Sequence, residues 1–191
     1  MKAVETEIPD VKVVRTDRHE DRRGSFSEEY HRLKYAELGI DTLFVQDNQS
    51  VSLHAGTVRG LHFQVPPFAQ AKLVRVVSGA ILDVVIDIRR GSSDFGKHVS
   101  VCLGADSGEQ IFVPEGFAHG FCTLTPNTVV VYKVSHYYAR NQEAGSLWND
   151  PDLQIAGPVQ DSEALLSAKD RELPRFRDIA DSVPFQYTGR N

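Results

Sequence analysis

Two histidines stand out for chemistry, His62 in Arg59-Gly60-Leu61-His62-Phe63-Gln64 and His119 in Pro114-Glu115-Gly116-Phe117-Ala118-His119-Gly120-Phe121. Each sits among glycines and aromatics, which leaves room for a ligand beside the imidazole. Two such rings suggest a metal, but a metal site needs three or four ligands. Gln64 stands where a second histidine would be wanted, and Lys72 where a carboxylate would be. An ammonium has no lone pair and repels a cation, so no metal site is expected. The same residues suit removal of a proton from carbon beside a carbonyl. Imidazole titrates near neutrality and serves as base. The Lys72 ammonium can stabilise the enolate that forms. Tyr132, in Val131-Tyr132-Lys133, can return a proton from the opposite face. Taken singly, Tyr132 reads as a core aromatic and Lys72 as a solvated charge; only the set points to catalysis.

Strands must position these groups. Runs rich in β-branched and aromatic residues occur at 44–51, 57–63, 72–77, 81–88, 98–103, 109–113, 120–124 and 128–134. Breaks such as His54-Ala55-Gly56, Val65-Pro66-Pro67 and Pro114-Glu115-Gly116 separate them. Eight or more short strands predict an antiparallel sandwich or barrel. Alternation along 60–64 places Gly60, His62 and Gln64 on one face and Leu61 and Phe63 on the other. The ends differ: 28–39 and 162–172 read as short helices, the second bounded by Pro174. The expectation is one domain over 1–191, with a barrel core at about 44–135 and extensions on either side.

Bulk properties exclude several classes. The chain has 191 residues, 41% hydrophobic and 25% charged, as in ordinary globular proteins. A net charge of −5 argues against nucleic acid as partner. No apolar run approaches the roughly 20 residues of a membrane span. The start Met1-Lys2-Ala3-Val4-Glu5 lacks the apolar core of a signal peptide, so a cytoplasmic protein is expected. Cys102 and Cys122 form no Cys-x-x-Cys pair and read as small buried apolar residues.

Taken in order, the segments resemble the dTDP-4-dehydrorhamnose 3,5-epimerases, a family of cupin-fold nucleotide-sugar enzymes. The resemblance runs over roughly residues 5–175. It is carried by Val45-Gln46-Asp47-Asn48, the His62 segment, Lys72-Leu73-Val74-Arg75-Val76-Val77, Asp83-Val84-Val85-Ile86-Asp87-Ile88-Arg89, the His119 segment and Leu147-Trp148-Asn149-Asp150-Pro151. Asp21-Arg22-Arg23-Gly24 and Leu166-Ser167-Ala168-Lys169-Asp170 also fit. The resemblance implies an all-β double-stranded β-helix (a cupin, or jelly-roll, barrel) with short helical extensions at both ends, and an isomerase without cofactor. It implies His62 as base with Asp170 as its carboxylate partner, Lys72 at the enolate oxygen and Tyr132 as acid. The substrate would be dTDP-4-dehydro-6-deoxy-D-glucose, epimerised at C3 and C5. Arg59 and Arg23 would hold its diphosphate, arginine being suited to bidentate phosphate contacts. Gln46, Asn48, Glu28, His119, Glu143 and Lys169 match family positions in the nucleotide and sugar site, and Tyr138 would stack on base or sugar, with its neighbour Tyr137 as the alternative. The family's N-terminal segment crosses a homodimer, so Arg23 and Glu28 would serve the partner's site.

Two departures are visible. Gln70-Ala71-Lys72 replaces the common Gln-Gly-Lys, which leaves Lys72 in place. Ile155-Ala156-Gly157-Pro158 lacks the tryptophan the family often carries at the third position, which bears on the packing that sets Asp170. Other activities compatible with the residues are epimerisation at C3 or C5 alone and non-catalytic sugar binding.

Overall fold

The computed structural model describes residues 1–189. Thirteen strands are present among them: β1 Lys2–Glu5, β2 Lys12–Arg15, β3 Arg18–Asp21, β4 Gly24–Ser27, β5 Gln46–Ser52, β6 Val58–Gln64, β7 Lys72–Ser78, β8 Ala80–Asp87, β9 His98–Gly104, β10 Glu109–Val113, β11 Phe117–Thr123, β12 Thr128–Val134 and β13 Glu143–Gly145. The α-helices are short: α1 Arg32–Glu37, α2 Ala168–Arg171 and α3 Phe176–Ile179. A six-stranded sheet in the order β1-β2-β10-β7-β12-β5 packs on a five-stranded sheet in the order β13-β6-β11-β8-β9, and all these pairings are antiparallel. This is the expected all-β double-stranded β-helix.

Alternation builds the core. Val74 and Val76 of β7, Ile81 and Val85 of β8, Ile111 and Val113 of β10, Phe121 of β11 and Val130 of β12 meet between the sheets. Each such side chain removed from water contributes about 1.5–3 kcal/mol. The outer face of the five-stranded sheet is also apolar. Leu61, Phe63, Val84 and Ile86 are covered there by Phe176, Val183 and Phe185 of the C-terminal segment. On the other side, Tyr35 of α1 covers Val14, Leu73 and Phe112.

Four expectations are corrected. Of the two cysteines read as buried, Cys102 is exposed and only Cys122 is buried. The N-terminal segment is not an appendage to the barrel, because β2 pairs along β10 and buries Val11 and Val13 in the core. Four-residue strands carry little local signal, and long-range pairing makes them. The helix read at 28–39 shrinks to Arg32–Glu37, and that at 162–172 to Ala168–Arg171, since Leu165 pairs with Thr57 instead of joining a helix. Strand β11 starts at Phe117, not Gly120, so His119 lies inside it.

Candidate active site

His62 and His119 are direct cross-strand partners on β6 and β11, and both face the barrel interior. Arg59 faces the same way, because its partner Phe121 shares a face with His119. Regular alternation would put residues 59 and 62 on opposite faces. The register shifts here, with three steps on β6 opposing two on β11. Such a bulge next to a site re-aims a side chain. Gly60 makes it possible: its φ is +118°, and a Cβ there would lie 2.6 Å from Gly120 Cα and 2.7 Å from the His119 carbonyl.

His62 and Asp170 meet across 108 positions. His62 Nε2 lies 2.6 Å from Asp170 Oδ1. A carboxylate accepts, so Nε2 carries the hydrogen and Nδ1 keeps its lone pair. Ser167 caps α2 by accepting from the Asp170 backbone N–H at 3.1 Å, which fixes the carboxylate beside β6. Burial pushes the Asp170 carboxyl up, but the His62 hydrogen bond and charge outweigh it and hold it below its ordinary value. Trp148 stands against Gly157, whose added Cβ would meet the indole at 3.3 Å. Asp170 stands beside His62 with glycine at position 157.

Lys72 and Tyr132 come from the facing sheet. Tyr132 is the partner of Val74 and shares its inward face; Lys72, two residues before Val74, does too. The Lys72 ammonium donates to the His62 carbonyl at 3.5 Å. Burial lowers its pKa to about 8, against the opposing charges of Asp83 and Glu143. Burial likewise raises the pKa of the Tyr132 phenol, which keeps it a proton donor. These groups line a cavity of about 220 Å³ with Gln46, Asn48, Tyr138 and Glu143.

Around the cavity the polar side chains hold one another. Gln46 donates to Asn48 at 2.8 Å and accepts from the Tyr138 N–H at 3.1 Å. The Tyr138 hydroxyl donates to Glu143 at 2.8 Å, Lys169 pairs with the same carboxylate, and Glu143 Oε1 lies 4.0 Å from His62 Nδ1. Tyr138, not Tyr137, lines the cavity. Arg59 is held by Ser52 and the Val51 carbonyl. Arg23 and Glu28 are not brought to this cavity: they pair with Asp21 and Lys34 on and after the β3–β4 hairpin. Among the described residues no cluster of three or more His, Cys, Asp or Glu is placed to hold a metal, and no helix is long and apolar enough to cross a membrane.

Two groups escaped the sequence reading. Gln64 is buried and pins the 137–139 loop, accepting from the Ala139 N–H at 2.7 Å and donating to the Tyr137 carbonyl at 3.3 Å. Asp83 is wholly buried and lies 2.9 Å from His119 Nε2. Its signal was a carboxylate in the middle of the apolar run 81–86, since charges in buried strands are rare unless paired.

The family model for dTDP-4-dehydrorhamnose 3,5-epimerase matches residues 5–178. A Shigella flexneri protein of that name is 45% identical over 179 residues, 93% of this chain and 97% of its own length. A Bacillus anthracis enzyme of that name, solved with TDP and PPi bound, superposes with a TM-score of 0.88 at 48% identity, covering 91% of this chain and 98% of the other. A Legionella pneumophila dTDP-6-deoxy-D-glucose-3,5-epimerase in complex with dTDP-4-keto-L-rhamnose gives a TM-score of 0.92 at 37% identity, covering 98% and 99%. Length, order of segments and barrel all agree, and the chain belongs to the dTDP-4-dehydrorhamnose 3,5-epimerase family.

Proposed function

We propose that the chain converts dTDP-4-dehydro-6-deoxy-D-glucose to dTDP-4-dehydro-L-rhamnose by inverting C3 and C5. One observation carries the reading: a carboxylate-backed histidine, a half-buried ammonium and a half-buried phenol line one cavity, the first on one sheet and the other two on the facing sheet. His62 Nδ1 takes the proton beside the C4 ketone, and Asp170 stabilises the imidazolium. Lys72 neutralises the charge that gathers on the ketone oxygen. Tyr132, from the opposite side, returns a proton to the carbon, which inverts it. Each carbon goes through the same cycle, because both flank the one carbonyl.

Gln46, Asn48, Tyr138, Glu143 and Lys169 hold sugar and base, while Arg59 and His119 stand toward the diphosphate. Arg23 and Glu28 reach the site of a second copy in a homodimer. Supporting this, the β3–β4 hairpin is solvent-exposed except at Ser27, with Phe26 72% exposed. A lone two-stranded hairpin is marginal in water and needs a surface to lie on. Val51 and Val77 are exposed on the outer face of the six-stranded sheet, and Leu53 follows β5, offering an apolar one.

Product analysis by NMR tests the activity. The L-rhamno 4-ketone is expected; inversion at one carbon would assign a mono-epimerase, and unchanged substrate would leave only binding. Mixing two impaired variants, His62→Ala and Arg23→Ala, tests the dimer. A mixed dimer contains one site with both wild-type residues, so activity should rise above that of either variant. No gain after subunit exchange would place Arg23 outside the partner's site.

A further inference from the structure

The two facing histidines are each tied through Nε2 to a carboxylate, but only the His62–Asp170 pair has a role in the proton transfers above. The second pair, His119–Asp83, lies deeper in the barrel. Asp83 comes from β8, where its register partner is Phe121, so it shares the inner face with His119. Its Oδ2 accepts from His119 Nε2 at 2.9 Å, while Oδ1 has no hydrogen-bond partner among the described residues. A wholly buried, half-satisfied carboxylate is costly. Its neighbours on that face besides His119 include the apolar Val85 and Phe121.

Asp83 on β8 and Lys72 on β7 both point into the barrel, and the carboxylate charge acts on the ammonium. The groups around that ammonium are Asp83 from β8, Glu143 from β13, the His62 carbonyl from β6 and His119 from β11. Glu143 is already bonded to Lys169 and Tyr138, whereas Asp83 has one oxygen uncommitted. We propose that Asp83 is a positioning residue: it holds the His119 ring as its Nε2–H form, with Nδ1 an acceptor, and supplies the negative charge that keeps Lys72 protonated beside the ketone. The inference rests on the epimerase reading above. Two directions agree with the geometry. Burial keeps His119 below the ordinary histidine pKa despite Asp83, so its ring is neutral at pH 7. Asp83 is the first of the charges that oppose the burial of Lys72.

The test is Asp83→Asn, which keeps the shape and removes the charge. Turnover should fall by about 10–100-fold, the weight of a hydrogen bond to a charged group. The alkaline limb of kcat should move down by about one pH unit, the effect of losing a neighbouring opposite charge. KM should change less than kcat, since Asp83 reaches the diphosphate only through the orientation of His119. A purely structural Asp83 would leave the limb where it is in the wild type, and a superimposable profile overturns the proposal. If the variant does not fold, ¹⁵N NMR of imidazole-labelled wild-type enzyme decides, with the His119 signal assigned from His119→Gln. A neutral Nε2–H ring between pH 7 and 8 is expected; an Nδ1–H or cationic ring there refutes it. Wild-type turnover is read first, so failure of the epimerase reading is seen separately from failure at Asp83.

Discussion

Replacing Asp170 by asparagine removes one charge and almost nothing else. The His62–Asp170 contact is 2.6 Å and Asp170 is 5% exposed, so water has little access to replace the lost oxygen. A hydrogen bond to a charged group contributes about 1.5–3 kcal/mol, or roughly 10–150-fold in rate at 1.36 kcal/mol per decade. The amide can also donate to Nε2, which forces the proton onto Nδ1 and takes away the lone pair; in a hydrolase triad the equivalent change costs about 10⁴-fold. Glu143, 4.0 Å from Nδ1, can stabilise a charged ring in part and sets a floor. The expected loss in kcat is therefore about 10²–10⁴-fold. The Ser167 cap binds the backbone N–H of residue 170 and survives, so Tm should move by less than about 3 °C. Initial rates on the dTDP-sugar, followed by NMR beside a thermal melt, read both. A folded variant within threefold of wild-type kcat would refute the role of Asp170.

Other outcomes follow from single positions. Turnover should decline as pH rises through about 8, because the Lys72 ammonium is the working form and its pKa is lowered to that value. A rate unchanged up to pH 10 would remove Lys72 from the chemistry, and Lys72→Met should abolish the limb together with most of the activity. Gly60→Ala should lose roughly 2–5 kcal/mol from a strained φ and backbone overlap, lowering Tm by about 5–15 °C. A melt within about 2 °C of wild type would show that the bulge is not held by glycine.

The β-strands of the barrel were legible because alternation and glycine or proline breaks are local signals. Five strands were not. β1 to β4 have four residues each and β13 three, and β2 exists because β10 offers it a ladder. His62, Lys72 and Tyr132 could be read as a set from residue chemistry. Asp170 could not: locally it is a helix charge, and its role depends on a contact 108 positions away that only the resemblance supplied. Arg59 shows the limit of periodicity, since strict alternation sends it away from His62 and one bulge at Gly60 brings it back. Asp83 was visible as a charge in an apolar strand, but its partner was not, because pairing of β8 with β11 is a property of the whole barrel.

Solvent deuterium tests the enolisation directly. Wild-type enzyme incubated with dTDP-4-dehydro-6-deoxy-D-glucose in deuterated water, without added metal, should place deuterium at both C3 and C5, and His62→Ala should place it at neither within the same time. Label at one carbon would restrict the chemistry to that position. Inversion without label, or full labelling by His62→Ala, would contradict proton abstraction by His62.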